Sequence, residues 1–203
     1  MKKIPSIILA SALAMTMGCS STDTSSDTTT TSTAETSASD TTAAPVSTAA
    51  GARGTGISST DMSDAAFLIE AASSGLMEVE LGELAAKTAM DPEVKKFGQM
   101  MVDHHTKANE ELNAVAAAMN VELPTVLNQM HREMADKLKV KTGKSFDEAY
   151  MDLMEKAHKR DIDMFVAKTT SAENSAVKDF AVRTLPVLRS HLEMANQIED
   201  TVD

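Results

Sequence analysis

After residue 60, apolar residues recur at steps of three and four along most of the chain, the spacing that lays them on one face of an α-helix. Between Pro92 and Met119, the residues Phe97, Met101, Ala108, Leu112, Val115 and Met119 fall within about 60° of one another on a helical wheel. Val177, Leu188, Ala195 and Val202 form a similar stripe near the C-terminus, and Phe146, Tyr150, Leu153, Met154, Ala157 and Phe165 make a broader face between the two. The stretch before Ala89 is apolar nearly all round and is interrupted by Glu78, Glu80 and Glu83, so its periodicity does not single out an inward face.

Punctuation residues set the boundaries. The first long helix begins with Asp61 or Ser63 as N-cap and runs to about Ala89. Asp91-Pro92 then reads as the N-cap and first residue of a second helix that continues to about Met119. Pro124 opens a short helix to about Val140, which Thr142-Gly143-Lys144 closes. Ser145, with Glu148 three residues on, predicts a capping box for a third long helix to about Thr170. The fourth runs from about Ser175 to the end, with Pro186 predicting a kink unless neighbouring helices absorb the lost bond. The expected fold is all-α: residues 61–203 form a four-long-helix, up-down bundle with an extra short helix between the second and third.

The first 60 residues read differently. Lys2 and Lys3 precede an apolar run, Ile7 to Met17, that is too short to span a bilayer and fits an export signal over residues 1–18. Met15-Thr16-Met17-Gly18-Cys19 resembles a lipobox, although Thr16 stands where Leu, Val or Ile is usual. Ser20 after the cysteine resembles lipoproteins passed on to an outer membrane. Cys19 is the single cysteine of the chain, so it has no disulfide partner, and acylation with a diacylglycerol lipid is its most economical use. From Ser20 to Thr60 more than half the residues are Ser or Thr and almost none are large and apolar, which predicts that residues 19–60 form an acylated, disordered tether. Treated as a flexible chain it reaches roughly 35 Å. The expected location is therefore the cell envelope, lipid-anchored to the outer membrane and facing the periplasm.

A formal net charge of −11, more negative still once Lys2 and Lys3 are removed, argues against nucleic acid or an anionic lipid surface as partner. No Ser-His-Asp order or Gly-rich phosphate loop is present, and the lack of further cysteines excludes the usual structural zinc sites.

Histidine carries what chemistry the sequence offers. His191 lies near the centre of the last stripe, His104 and His105 sit on opposite shoulders of the second helix's stripe, and His158 lies within the third helix's face. Three helices thus each point an imidazole inward, and one inward carboxylate from the first helix would complement them as a metal ligand or a counter-ion. Buried neutral histidines bonded to that carboxylate, to Tyr150 or to one another would use the same residues simply to fix the core's register. Methionine adds a further thread, because several of the fifteen lie at helical spacing from histidine: Met101 with His104 or His105, Met134 with His131, Met154 with His158, and Met194 with His191. Thioether with imidazole suits Cu(I), whereas methionine stripes in helices commonly serve packing.

Several of these segments together resemble a family of bacterial envelope proteins, the domain-of-unknown-function 4142 family. They are Glu78-Val79-Glu80-Leu81-Gly82; Phe97 to Leu112, including His104-His105; Phe146-Asp147-Glu148-Ala149-Tyr150 leading to His158; and Leu185-Pro186 leading to His191. The resemblance covers roughly Asp64 to Asp200 and implies a ferritin-like bundle and an envelope location, with no settled reaction. The family pattern usually carries Asp where His104 stands, so the histidine it implies in the second helix is His105.

A ferritin-like di-iron centre would need a Glu-x-x-His on each of two helices, and only Glu155 to His158 reads that way. The candidate metal ligands are therefore His105, His158, His191 and Glu80, with His104, Glu78, Glu155, Met101, Met154 and Met194 as secondary candidates for copper or another transition metal. The leading expectation is a non-catalytic, membrane-anchored module that binds envelope proteins or the cell wall or serves in envelope stress. A metal-binding module comes second and a di-iron-type redox enzyme third.

Overall fold

The computed structural model describes residues 62–202, so the export signal, Cys19 and the tether lie outside the described residues. Five α-helices and no strand are found among the described residues: α1 (Asp64–Thr88), α2 (Pro92–Ala118), α3 (Gln129–Lys139), α4 (Lys144–Ser171) and α5 (Ser175–Val202). No described helix is long and apolar enough to cross a membrane.

Ser63 caps α1, its hydroxyl accepting from the Ala66 N–H at 3.2 Å. The Asp91 carboxylate caps α2 by accepting from the N–H groups of Glu93 and Val94, with Pro92 at the first position. So short a link makes α1 and α2 antiparallel. They approach so closely that a Cβ on either Gly82 or Gly98 would lie 2.8 Å from the other's carbonyl oxygen. The link's own N–H groups are satisfied from elsewhere: Asp147, in the first turn of α4, accepts from Met90 at 3.0 Å and Asp91 at 2.7 Å.

At its far end α2 stops at Asn120, whose φ of 55° lets the Val121 N–H return to the Ala116 carbonyl. The short helix expected from Pro124 begins only at Gln129, with Asn128 as its cap. The reason is local: Asn128 accepts from the His131 N–H through its side chain, while its backbone N–H and side-chain amide donate to Ser73 and Glu70 of α1. These bonds hold the chain against α1 before the helix can start. From there α3 climbs alongside α1, from His131 beside Ser73 to Lys139 beside Glu80.

The capping box expected at Ser145 does not form. Gly143, at φ 61°, turns the chain into α4 one residue early, so Ser145 falls inside the first turn and donates to the Thr142 carbonyl, while Glu148 pairs with Lys144. Asn174 caps α5, which runs as one helix through Pro186. Pro186 and Val182 both lie on the solvent face, so the carbonyl left without its intrahelical donor meets water.

The hairpins α1–α2 and α4–α5 pack on each other through α1–α4 and α2–α5. The pairs Phe67–Phe165 and Ser74–Asp161 make α1 antiparallel to α4, and His104–His191 and Glu111–Arg183 make α2 antiparallel to α5. Spatial neighbours therefore alternate in direction, yet α2 and α4 run the same way, and α3 fills the crossover between them. The core falls into two apolar halves, one around Phe97, Met101, Tyr150 and Met154, the other around Phe67, Leu112, Phe165 and Phe180. A polar layer separates them.

Candidate metal centre

That layer is built by four helices. It holds Ser74 and Glu78 from α1, His105 from α2, His158 and Asp161 from α4, and His191 from α5, all at most 5% exposed. The ring nitrogens of His105, His158 and His191 converge: His105 Nε2 and His158 Nε2 lie 3.3 and 3.2 Å from His191 Nδ1. Glu78 completes the group, with Oε2 2.9 Å from His105 Nδ1 and Oε1 3.7 Å from His158 Nε2.

The outer contacts decide which nitrogens carry protons. His105 Nδ1 faces a carboxylate and His158 Nδ1 faces the Met154 carbonyl at 2.8 Å, so both donate there and both Nε2 atoms present lone pairs. His191 Nε2 lies 2.8 Å from His104 Nδ1. When His191 donates to His104, its Nδ1 is also a lone pair, and three lone pairs meet at one point. Ligands about 2.0 Å from a shared ion in a tetrahedral arrangement stand about 3.3 Å apart. The two nitrogen separations match that edge. Each imidazole thus has the outer hydrogen bond that orients metal-binding histidines.

Electrostatics favour the uncharged forms. Burial lowers the pKa of His105 to about 4 and drives His191 far lower, helped by the neighbouring histidines. Burial lowers His158 as well, outweighing the attraction of Glu78. Burial raises Glu78 to about 7 against the pull of His158 and Arg160. Although the His105–Glu78 contact has the geometry of a salt bridge, burial shifts both partners toward neutrality, so it acts as a hydrogen bond. Asp161 is also raised to about 7, by burial first and then by Glu78. Among the described residues, Glu78 Oε1, Asp161 Oδ1 and the Tyr150 hydroxyl have no hydrogen-bond partner. A divalent cation would give Glu78 Oε1 the partner it lacks.

Of the residues expected at the site, His105, His158 and His191 come together. Glu80 does not: it is exposed and pairs with Lys139, and Glu78, two residues earlier, takes the inward place. His104 lies on the outside of the layer and touches it only through His191. Glu155 does not join the cluster: it is half-buried, pairs with Lys159 and lies near Asp152 and Glu199, so the Glu-x-x-His spacing does not bring both side chains to the layer. Met101 and Met154 belong to the apolar half-core, and Met194 packs against it. The bond from His158 to Met154 goes to its backbone carbonyl.

His131 lies apart from the layer, fully buried, 2.7 Å from Ser73 Oγ and in contact with Arg160. Since the guanidinium donates to Nε2, His131 Nδ1 must donate to Ser73, so the pair ties α3 to α1 and cannot activate the serine.

Two members of the layer escaped the sequence reading: Asp161, and Ser74, which donates to Asp161 Oδ2 at 2.7 Å. Extending the third helix's stripe through 150, 154, 157, 161, 165 and 168 places Asp161 and Lys168 on the inward face, a signal hidden by their charge.

The chain matches the profile of a family described as Domain of unknown function (DUF4142) over residues 46–198. No curated protein matches it. A solved structure described as "CopM in the Cu(II)-bound form" shares the fold with a TM-score of 0.59 at 17% sequence identity, covering 68% of this chain and 97% of that one. The family profile spans well over half of the sequence, and the chain belongs to the DUF4142 family.

Proposed function

We propose that the helical domain is a transition-metal-binding module whose ligands are His105, His158, His191 and Glu78. The observation that carries this is the convergence of three imidazole nitrogens, each ring with an outer hydrogen-bond partner, beside a buried carboxylate oxygen that lacks a partner. Three nitrogens and one oxygen suit a divalent first-row ion: the tetrahedral spacing fits zinc, and copper(II) heads the general affinity order for such donors. The fold shared with the Cu(II)-bound CopM is compatible with that choice. A copper ion held there supplies Lewis acidity and one-electron redox capacity. The chain's own residues bind and orient: Glu78 fixes the His105 ring, the Met154 carbonyl fixes His158, and His104 fixes His191. We further read the four long helices as a ferritin-like bundle, and the whole chain as an envelope lipoprotein that Cys19 holds at the membrane on a Ser/Thr-rich tether.

Metal analysis after loading the purified protein with Cu(II) or Zn(II) and removing excess ion tests the site. One ion per chain and a raised Tm are expected. Both should be lost in His158→Ala, whose fold is checked by circular dichroism, and kept in Glu80→Ala. Absence of retained metal with an unchanged Tm would overturn the proposal. The anchor is tested separately: Cys19→Ser should move the protein from the membrane to the soluble fraction.

A further inference from the structure

Beside the histidine cluster lies a chamber of about 20 Å³. Its polar wall is formed by Glu78, His105, Asp161, Asn109 and Thr184, and its apolar wall includes Phe165 and Phe180. Two buried carboxyl oxygens on residues lining it, Glu78 Oε1 and Asp161 Oδ1, have no hydrogen-bond partner among the described residues. Leaving such an atom unsatisfied costs about 1–3 kcal/mol. A void of about 10–15 Å³ with two to four polar partners is enough to hold one water.

The chamber is also close to solvent. A groove of about 320 Å³ on the α2–α5 seam is lined by His104, Lys107, Glu111 and Arg183, and Ala108 and Thr184 line both the groove and the chamber. Two small half-buried side chains thus make up the shared wall between them.

We infer that this chamber binds one exchangeable water, which enters from the groove through the Ala108–Thr184 wall and bridges Asp161 and Glu78. On the metal-binding reading, on which this part rests, the water stands next to two of the ligands, Glu78 and His105. The centre is then solvent-fed, able to add a small exchangeable ligand as a fifth donor beside its four protein ligands. Asp161 touches no ligand nitrogen in this arrangement; it acts as the positioning residue of the water, steadied by Ser74.

The test uses Ala108→Leu, which fills the wall while leaving every proposed ligand in place. In the metal-free protein, oxygen-17 relaxation dispersion should show one long-lived buried water in the wild type that is lost in Ala108→Leu. Equal dispersion in the two proteins overturns the inference. In the Cu(II)-loaded protein, water-proton relaxivity should be high in the wild type and fall to the outer-sphere level in a variant that retains the same copper content. Unchanged relaxivity overturns the link between chamber and ion. If the wild type retains no copper, the metal-binding reading fails while the metal-free arm still decides the chamber. Thr184→Leu, filling the same wall from α5, serves if Ala108→Leu does not fold.

Discussion

His104 Nδ1 lies 2.8 Å from His191 Nε2, and the two rings stack with centroids 5.1 Å apart and planes 14° from parallel. His191 is therefore the one imidazole of the cluster whose outer nitrogen is held by a side chain at the surface. Replacing His104 with Phe keeps a stacking ring but removes the acceptor, so His191 Nδ1 no longer has its lone pair fixed toward the other two imidazoles. Metal affinity, measured by competition titration, should fall about 10–100-fold with the fold intact. Equal affinity in the variant would show that His104 does not set the His191 tautomer.

The buried groups also predict a stability maximum in the metal-free protein. His105 and His131 are lowered from 6.5 to about 4, and His158 and His191 are lowered too, all chiefly by burial. These four stay neutral when folded, whereas their unfolded counterparts take up protons below about 6.5. The unfolded state then binds more protons, so stability is lost as pH falls through that value. Glu78 and Asp161 act in the opposite sense. Their ordinary values of 4.5 and 3.8 rise to about 7, so the folded state keeps protons that the unfolded state has released, and stability falls as pH rises toward 7. Below about pH 6.5 the four unfolded histidines take up more protons than the two folded carboxyls retain, and near pH 7 the two contributions balance. Tm should climb to a broad maximum near pH 7 and change little above it, with a steeper climb between pH 5 and 7 in Asp161→Asn. A Tm that keeps climbing to pH 8 in the wild type contradicts this.

The legibility of the layer in the sequence depended on how many neighbours each helix has. The stripe of α5 packs chiefly on α4 and α2, and its residues Val177, Leu188, His191, Ala195 and Val202 are all buried as the periodicity predicts. Helix α1 contacts α2, α3 and α4, so apolar residues such as Leu76 and Val79 face the crossover and not the central layer. That second apolar face hid the stripe 67, 71, 74, 78, 81, 85, which includes Glu78 and excludes Glu80. The start of α3 was obscured for another reason: its delay to Gln129 depends on Ser73 and Glu70, more than fifty residues earlier. No local pattern carries a bond of that range.

Where α1 crosses α2, backbone meets backbone. A Cβ on Gly98 would sit 2.8 Å from the Gly82 carbonyl oxygen and 2.9 Å from both Ala85 Cβ and the Ala86 nitrogen, all fixed parts of the neighbouring helix. A Cβ on Gly75 would meet the Asn109 side chain instead, which can swing away. Alanine gains roughly 1 kcal/mol over glycine from helix propensity at either position. Overpacking costs about 1–3 kcal/mol where the neighbour cannot move. Urea unfolding should therefore show Gly98→Ala net destabilised and Gly75→Ala close to wild type. Equal stability of the two variants would mean that the helices slide apart freely at this crossing.

Lys168 is 2% exposed, and its ammonium bonds Asp64 Oδ1 at 2.9 Å and the Met62 carbonyl. The other Asp64 oxygen accepts from the N–H groups of Glu173 and Asn174 at 3.0 and 2.8 Å, so one carboxylate joins the start of α1 to the end of α4 and the turn into α5. Burial raises the Asp64 pKa, but the Asn174 N–H and the Lys168 ammonium outweigh it and hold the group below 3.8, so its contribution is present above that value and is lost as pH falls. Asp64→Ala would leave a buried ammonium without its counter-ion and two N–H groups without their acceptor, which should cost about 3–5 kcal/mol. Lys168→Met removes the charge that needs a partner and leaves Asp64 its two N–H donors, so its cost in denaturant unfolding should be less than half as large. Equal losses in the two variants would locate the stabilisation in the ion pair itself. The predicted asymmetry instead assigns it to the carboxylate as the shared acceptor for three segments of the chain.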